Sequence, residues 1–190
     1  MPGISKRARF EREVLPHLDA AHNLARWLLR NGADAEDVTQ EACLRAYKYF
    51  DGFHGGNAKA WLLRIVRNSC YTWLKENPKG ESMSPDAEGR LDPAHEHALE
   101  AAGHGTPTPE ALAIERADRA LLTAGLEALP ADYREVLILR EIEELSYKEI
   151  GEIAGIPIGT VMSRLARGRG LLQKRLAAQL AEQPVERGET

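Results

Sequence analysis

The sequence predicts an all-α protein: two small helical domains joined by a flexible linker. Three observations lead there. Apolar residues recur at helical spacing, and the period-two alternation of a half-buried strand is absent. One stretch, residues 78–109 ("PKGESMSPDAEGRLDPAHEHALEAAGHGTPTP"), is rich in Pro, Gly, Ser, His and acid, the composition of a tether. Hydrophobic residues make up 43% of the 190, enough to build helical cores on both sides of it.

Helices are expected at about 8–30, 35–50, 58–76, 110–128, 131–143, 147–154 and 159–180. They group into a domain at 1–77, a flexible acidic linker at 78–109, a domain at 110–182 and a tail at 183–190. The stretch "HALEAA" is at most a helical turn within the linker.

Charge is segregated along the chain. A net charge of −4 and a pI near 5.9 argue, taken alone, against a nucleic-acid binder. Residues 1–77, however, carry 12 Lys/Arg against 9 Asp/Glu, and residues 156–181 carry 5 against none. The acid is concentrated at 78–126 (4 against 9) and 127–155 (3 against 8). Two cysteines, Cys43 and Cys70, form no framework or CxxC pair and suit a reducing, cytoplasmic setting. No apolar run approaches a membrane span, so no membrane contact by this chain itself is expected. The N-terminus lacks the apolar stretch of a signal peptide.

In the 35–50 helix, Asp34 is a candidate N-cap, and Glu36 and Asp37 suit the positive end of the dipole. Val38, Ala42, Cys43, Ala46, Tyr49 and Phe50 form its apolar face. Asp37, Gln40, Glu41, Leu44, Arg45 and Lys48 lie opposite. Leu44 is an apolar residue stranded among charges: nothing by itself, or an interface anchor.

The 58–76 helix holds two tryptophans twelve positions apart, a third of a turn out of alignment. Trp73 falls in the apolar half with Leu62, Leu63, Ile65, Val66, Ser69, Cys70 and Leu74, and is expected in the core. Trp61 falls in the polar half with Arg64, Arg67, Asn68, Tyr71, Thr72 and Lys75. Cations with interleaved aromatic rings suit single-stranded nucleic acid, the rings stacking on bases. Packing of Trp61 beneath another helix accounts for it equally well.

The C-terminal punctuation is sharper. Thr108 is a candidate cap for a helix opening on Pro109, and Ser146 with Glu149 makes a capping box. Gly155 and Pro157 close that short helix before a basic one follows. Val161, Leu165, Leu172 and Leu176 form the core face of the basic helix; Thr160, Ser163, Arg164 and Arg167 lie opposite. An isolated basic helix is read equally as dipole-favoured and solvated. The capped helix and bare turn before it give the layout of a DNA-reading helix–turn–helix. Hydroxyls and arginines on its outer face suit phosphates and guanine edges.

"DAEDVTQEACLRAY", then "AWLLRIVRN", a polar linker, and "LPADYREVLILREIEELSYKEIGEIAGIPIGTVMSRLARGRGLL" together resemble an extracytoplasmic-function (ECF) group bacterial RNA polymerase sigma factor. The resemblance covers about residues 8–77 and 110–177. It implies that 1–77 is a sigma region 2 helical bundle and 110–182 a sigma region 4 helix–turn–helix domain. It implies core RNA polymerase as partner, through the β′ clamp helices and the β subunit, with Asp37, Gln40, Glu41 and Leu44 on the polymerase. It implies recognition and melting of a promoter −10 element by Phe53, His54, Asn57, Trp61, Arg64, Arg67, Asn68, Tyr71 and Lys75. Of these, Phe53, His54 and Asn57 would line a pocket for a flipped base. It implies −35 recognition by Thr160, Ser163, Arg164 and Arg167, and control by an anti-sigma factor. Many members carry Asp and Arg where this chain has Thr72 and Lys75, and alanine where Gly151 and Gly168 stand.

Other classes fit less well. A dimeric helix–turn–helix activator needs an effector or phospho-acceptor domain, which 1–77 does not resemble. A metal sensor built on His95, His97 and His104 lacks a third ligand from a rigid element. No catalytic triad or P-loop spacing is present, so neither catalysis nor a cofactor or metal is expected. Cys43 and Cys70 lie on apolar faces and read as buried, inert thiols.

Overall fold

A computed structural model describes residues 5–78 and 109–182. Residues 79–108, with "HALEAA", the three linker histidines and the candidate cap Thr108, lie outside the described residues, as does 183–190. The all-α class is borne out: the described residues form helices and connecting turns, with no strand among them. The helices are α1 (Lys6–Glu13), α2 (Leu18–Leu29), α3 (Gly32–Tyr49), α4 (Ala58–Glu76), α5 (Pro109–Glu127), α6 (Ala131–Leu137), α7 (Tyr147–Ala154) and α8 (Ile158–Glu182). None among the described residues is long and apolar enough to cross a membrane.

The helix expected at 8–30 is two helices. A 3₁₀ turn, Leu15–His17, separates α1 from α2. Pro16, which lacks an N–H and crowds the preceding turn, sits in that break. Ser5 caps α1 by accepting from the Ala8 N–H at 3.2 Å. The cap of α3 is Asn31 rather than Asp34: its Oδ1 accepts from Ala33 N at 2.9 Å and Asp34 N at 3.3 Å. Asp34 instead lies in the first turn, where its charge suits the dipole.

The chain divides into two compact units. One combines Met1–Ser82 with Pro130–Arg169; the other combines Met83–Leu129 with Gly170–Thr190. In the first, α2, α3 and α4 pack around Leu24, Leu29, Leu62, Leu63 and Val66, all fully buried. An aromatic cluster closes one end: Phe10 meets Phe50 edge-on at 5.2 Å, and the Arg9 guanidinium lies over Phe50 at 4.4 Å. Trp73 is not in this core. It is only half-buried near the end of α4, where Val66 and Cys70 supply the buried positions. Tyr49, also placed on an apolar face by periodicity, is exposed at the end of α3.

In the same unit, α6 runs on as a π-helical turn, Ile138–Ile142, before α7. The predicted capping box is present: Ser146 Oγ accepts from Glu149 N, and Glu149 accepts from Ser146 N at 2.8 Å. Gly155 ends α7 at φ 67°, a left-handed conformation glycine adopts without strain. Val161 and Leu165 are buried, as their spacing predicts.

The helical glycines separate by surroundings. A Cβ on Gly151 would lie 2.9 Å from the Ile156 carbonyl oxygen, so the tight turn requires glycine there. One on Gly168 would meet Leu137 Cδ1 at 3.1 Å, which makes close packing the reason for that residue. Gly170 faces open space. Gly170→Ala is therefore expected to stabilise the chain by about 1 kcal/mol, read as a raised midpoint of thermal unfolding. Gly151→Ala is expected to lower it. In the second unit, Gly125 closes on Leu172 and Leu176, with a Cβ placed 3.0 and 3.3 Å from their side chains.

Candidate nucleic-acid interface

Three surfaces of the first unit hold the residues singled out by the sequence. On α3, Asp37, Gln40, Glu41 and Leu44 share one exposed stripe at i, i+3, i+4 and i+7. Leu44 is 72% exposed, an unusual position for a leucine. Arg45 pairs with Glu41 at 2.8 Å along the same face. Beside the stripe runs a groove lined by Leu18, His22, Thr39, Gln40 and Cys43. Cys43 is thus half-exposed rather than buried, while Cys70 is fully buried and its pKa is pushed up to about 12 by burial.

The loop before α4 and α4 itself form the second surface. Gly55 and Gly56, at φ 96° and 104°, turn the chain into Asn57, whose Oδ1 caps α4 by accepting from Ala60 N at 3.1 Å. Phe53 does not line an open pocket. It is 6% exposed, stacked on Phe50 at 5.8 Å and against Trp61 at 5.0 Å, and its carbonyl accepts from Arg9 at 2.8 Å. Burial of a large ring outweighs keeping it in a solvated loop. His54 is exposed next to it. Trp61 is half-buried, one of its packing neighbours being this loop rather than a helix.

The polar strip of α4 divides in two. Arg64, Asn68, Thr72 and Lys75 are exposed. Arg67 and Tyr71 instead turn toward α6. The Arg67 Nε and Nη2 donate to the Glu135 carboxylate at 2.5 and 3.2 Å, and the guanidinium covers the Tyr71 ring at 4.4 Å. Burial works against the Arg67 charge, but the hydrogen bond and charge of Glu135 outweigh it and raise the pKa. Burial, reinforced by Glu135, pushes Tyr71 up to about 12. Farther along, Lys59 pairs with Glu143 at 2.9 Å, and Asn57 donates to Glu149. Glu149 is held below the usual carboxylate range by its Ser146 bonds and by Asn57. Sequence reasoning missed these partners, although the acidic excess of 127–155 was their signal.

The third surface is the helix–turn–helix. Thr160, Ser163, Arg164 and Arg167 line a groove with Pro130, Asp132 and Tyr133. Ser163 and Arg167 are exposed, Thr160 and Arg164 half-buried. Arg164 pairs with Asp132 at 2.7 Å, a partly exposed contact of the kind worth under about 1 kcal/mol and readily exchanged for phosphate. Such a face offers hydroxyls near a helix N-terminus and guanidinium groups one turn on, suited to duplex DNA. Among the described residues no His/Cys/Asp/Glu group is arranged to hold a metal ion.

Comparison with known proteins places the chain in a family. Residues 14–79 match Sigma-70 region 2, and residues 119–172 match Sigma-70, region 4. The chain is 34% identical over 152 residues to the ECF RNA polymerase sigma-E factor of Escherichia coli, covering 75% of this chain and 74% of that protein. It is 32% identical to the ECF RNA polymerase sigma factor SigE of Mycolicibacterium smegmatis, covering 89% of this chain but 62% of that longer relative. The fold resembles the sigma factor RpoE of Bartonella quintana, solved with the anti-sigma factor NepR: TM-score 0.66, 30% identity, covering 89% of this chain and 97% of that one. CnrH, solved with the cytosolic domain of CnrY, shares the fold at TM-score 0.59 and 24% identity, covering 94% and 92%. With regions 2 and 4 both matched and relatives above 30% identity over most of their length, the chain belongs to the ECF RNA polymerase sigma factors.

Proposed function

We propose that this chain binds core RNA polymerase in the bacterial cytoplasm and directs it to promoters, performing no catalysis of its own. One observation carries the reading furthest. The outer face of α8 presents Thr160, Ser163, Arg164 and Arg167 together in a helix–turn–helix groove. That face reads the −35 element. Residues 1–77 dock on polymerase through Asp37, Gln40, Glu41 and Leu44, acting on the β′ clamp helices. They melt the −10 element through α4, where Arg64, Asn68 and Lys75 are exposed and Trp61 is half-buried, and through the loop before it, where His54 is exposed. Residues 110–182 meet the −35 DNA, 78–109 link the two domains, and the β subunit is a further contact on the polymerase. An anti-sigma factor holds the protein inactive, a reading supported by likeness to a sigma factor solved with such a partner.

Added to bacterial core polymerase, the chain is expected to give transcripts with defined 5′ ends, upstream of which both elements recur. An active core that yields no site-specific transcripts overturns the reading. Arg164→Ala is expected to weaken discrimination at the −35 element by about 1–3 kcal/mol for each base pair the arginine reads. The check is initiation from templates altered one base pair at a time.

A further inference from the structure

We propose that Asp132 is a positioning residue for −35 recognition. Its carboxylate holds the Arg164 guanidinium so that the free edge of the fork meets a guanine rather than a phosphate. This assignment rests on the reading of α8 as the −35 helix.

Arg164 and Arg167 share the outer face of α8 and differ in what holds them. Arg164 is paired to Asp132, Nη2 to Oδ2 at 2.7 Å, and its side chain is 24% exposed. Arg167 is exposed, with no carboxylate partner among the described residues. An exposed, unpaired arginine suits a phosphate, which accepts from many directions. Reading a base asks for more, because two N–H groups must meet guanine O6 and N7 together. A guanidinium carries its donors in a rigid planar fork with more than one two-donor edge. A single carboxylate covers at most one edge, so Arg164 keeps another for guanine. The pair also removes, before DNA arrives, rotamer freedom that the arginine would otherwise lose on binding.

The surroundings point the same way. Asp132 comes from α6, so the pair ties the recognition helix to a second element across the groove. The Asp132 side chain is 55% exposed, and the other residues lining the groove are neutral or basic, Thr160, Ser163 and Arg167 among them. A carboxylate there repels the phosphates that such a face approaches. Repulsion weakens binding to every sequence alike, whereas a held guanidinium favours guanine at one base pair. Asp132 thus exchanges affinity for selectivity. Two other roles are open to it. Its charge suits the dipole in the first turn of α6, and a phosphate could displace it from Arg164. Neither gives a preference confined to one base pair.

The test uses the full-length chain on core polymerase and a promoter located by its transcript 5′ ends. Each −35 base pair is replaced in turn, and initiation is compared between templates within each protein, so a reduced folded fraction cancels. Asp132→Asn is expected to lose about fivefold in discrimination at one G·C pair, the pair at which Arg164→Ala loses most, and to keep it elsewhere. Initiation from templates changed at that pair should rise about twofold, since a charge facing phosphates is gone. Asp132→Glu, which keeps a carboxylate within reach of the guanidinium, should recover most of the selectivity. Arg164→Ala/Asp132→Asn should discriminate no worse than Arg164→Ala alone, because Asp132 acts through the arginine. Discrimination unchanged in Asp132→Asn, or lowered alike at every base pair, overturns the assignment, as does an added loss in the double variant. Any of these with defined start sites sinks only the role of Asp132; no start sites from any protein sinks the promoter reading.

Discussion

Arg67→Ala is expected to cost the packing of α4 against α6 about 3–5 kcal/mol. The partner it abandons, Glu135, has a side chain with no exposure at all. A carboxylate left there keeps only the Tyr71 hydroxyl, at 3.4 Å, too long to replace two guanidinium bonds. The penalty is mostly that of an uncompensated buried charge, so it should be partly relieved when the charge is removed as well. Arg67→Ala/Glu135→Gln is therefore expected to be more stable than Arg67→Ala alone. Urea unfolding of the wild type and three variants completes the cycle. A destabilisation below about 1 kcal/mol for Arg67→Ala would mean the pair behaves as an exposed one. The same unit offers a second escape: α6 and α7 can part from α4 and let Glu135 reach water. Faster amide exchange in α7 than in α2 and α3 marks that route.

The distinction matters because Arg67 looked, from its sequence, like a DNA contact. A helical wheel separates polar from apolar faces, but it does not say what the polar face meets. For Arg64, Asn68 and Lys75 the answer is solvent; for Arg67, Tyr71 and Asn57 it is a carboxylate from a segment 64 to 92 residues away. Nothing local encodes that choice. The opposite charge balances of 1–77 and 127–155 were visible, yet charge balance names no pairs.

Local rules succeeded where local physics decides. Ser146, Glu149 and Gly155 set the ends of α7 through hydrogen bonds and backbone conformation within a few residues. The α8 periodicity gave Val161 and Leu165 as buried because a helix in a small domain has one inward face. Pro16 was readable as a breaker, but the apolar pattern continues through it and masked the break between α1 and α2. Asn31 lost to Asp34 as a cap because the acidic run after it imitates a first turn, which in fact it occupies. Phe53 was assigned to a pocket by family resemblance alone, and nothing local in the sequence shows that Arg9 and Phe50 draw that loop inward. The four α3 residues and the four α8 residues each share one helix face, because helical spacing alone sets that, although the α8 groove is completed by Pro130, Asp132 and Tyr133.

The aromatic cluster gives the second large effect and decides what Trp61 does. Phe50 is 1% exposed at the junction of Phe10, Phe53 and Trp61, with Arg9 over its ring. Phe50→Ala is expected to cost about 3–5 kcal/mol, from forfeited burial and from a cavity that its fixed neighbours cannot fill. Polymerase binding and promoter opening should then fail together as the bundle loosens. Trp61 stands at the edge of the same cluster and is only half-buried, so its ring both braces Phe53 and reaches solvent. Trp61→Ala is expected to leave polymerase binding within about twofold while slowing opening by at least about tenfold, the effect of taking away one ring on which a base stacks. Binding is read by fluorescence anisotropy with core polymerase, and opening by permanganate reactivity of the melted strand. Trp61→Phe, which keeps a ring against Phe53, should recover most of the opening. Equal impairment of binding and opening in Trp61→Ala would assign the indole to the cluster alone. A defect confined to opening separates it from Phe50, whose removal cannot spare either.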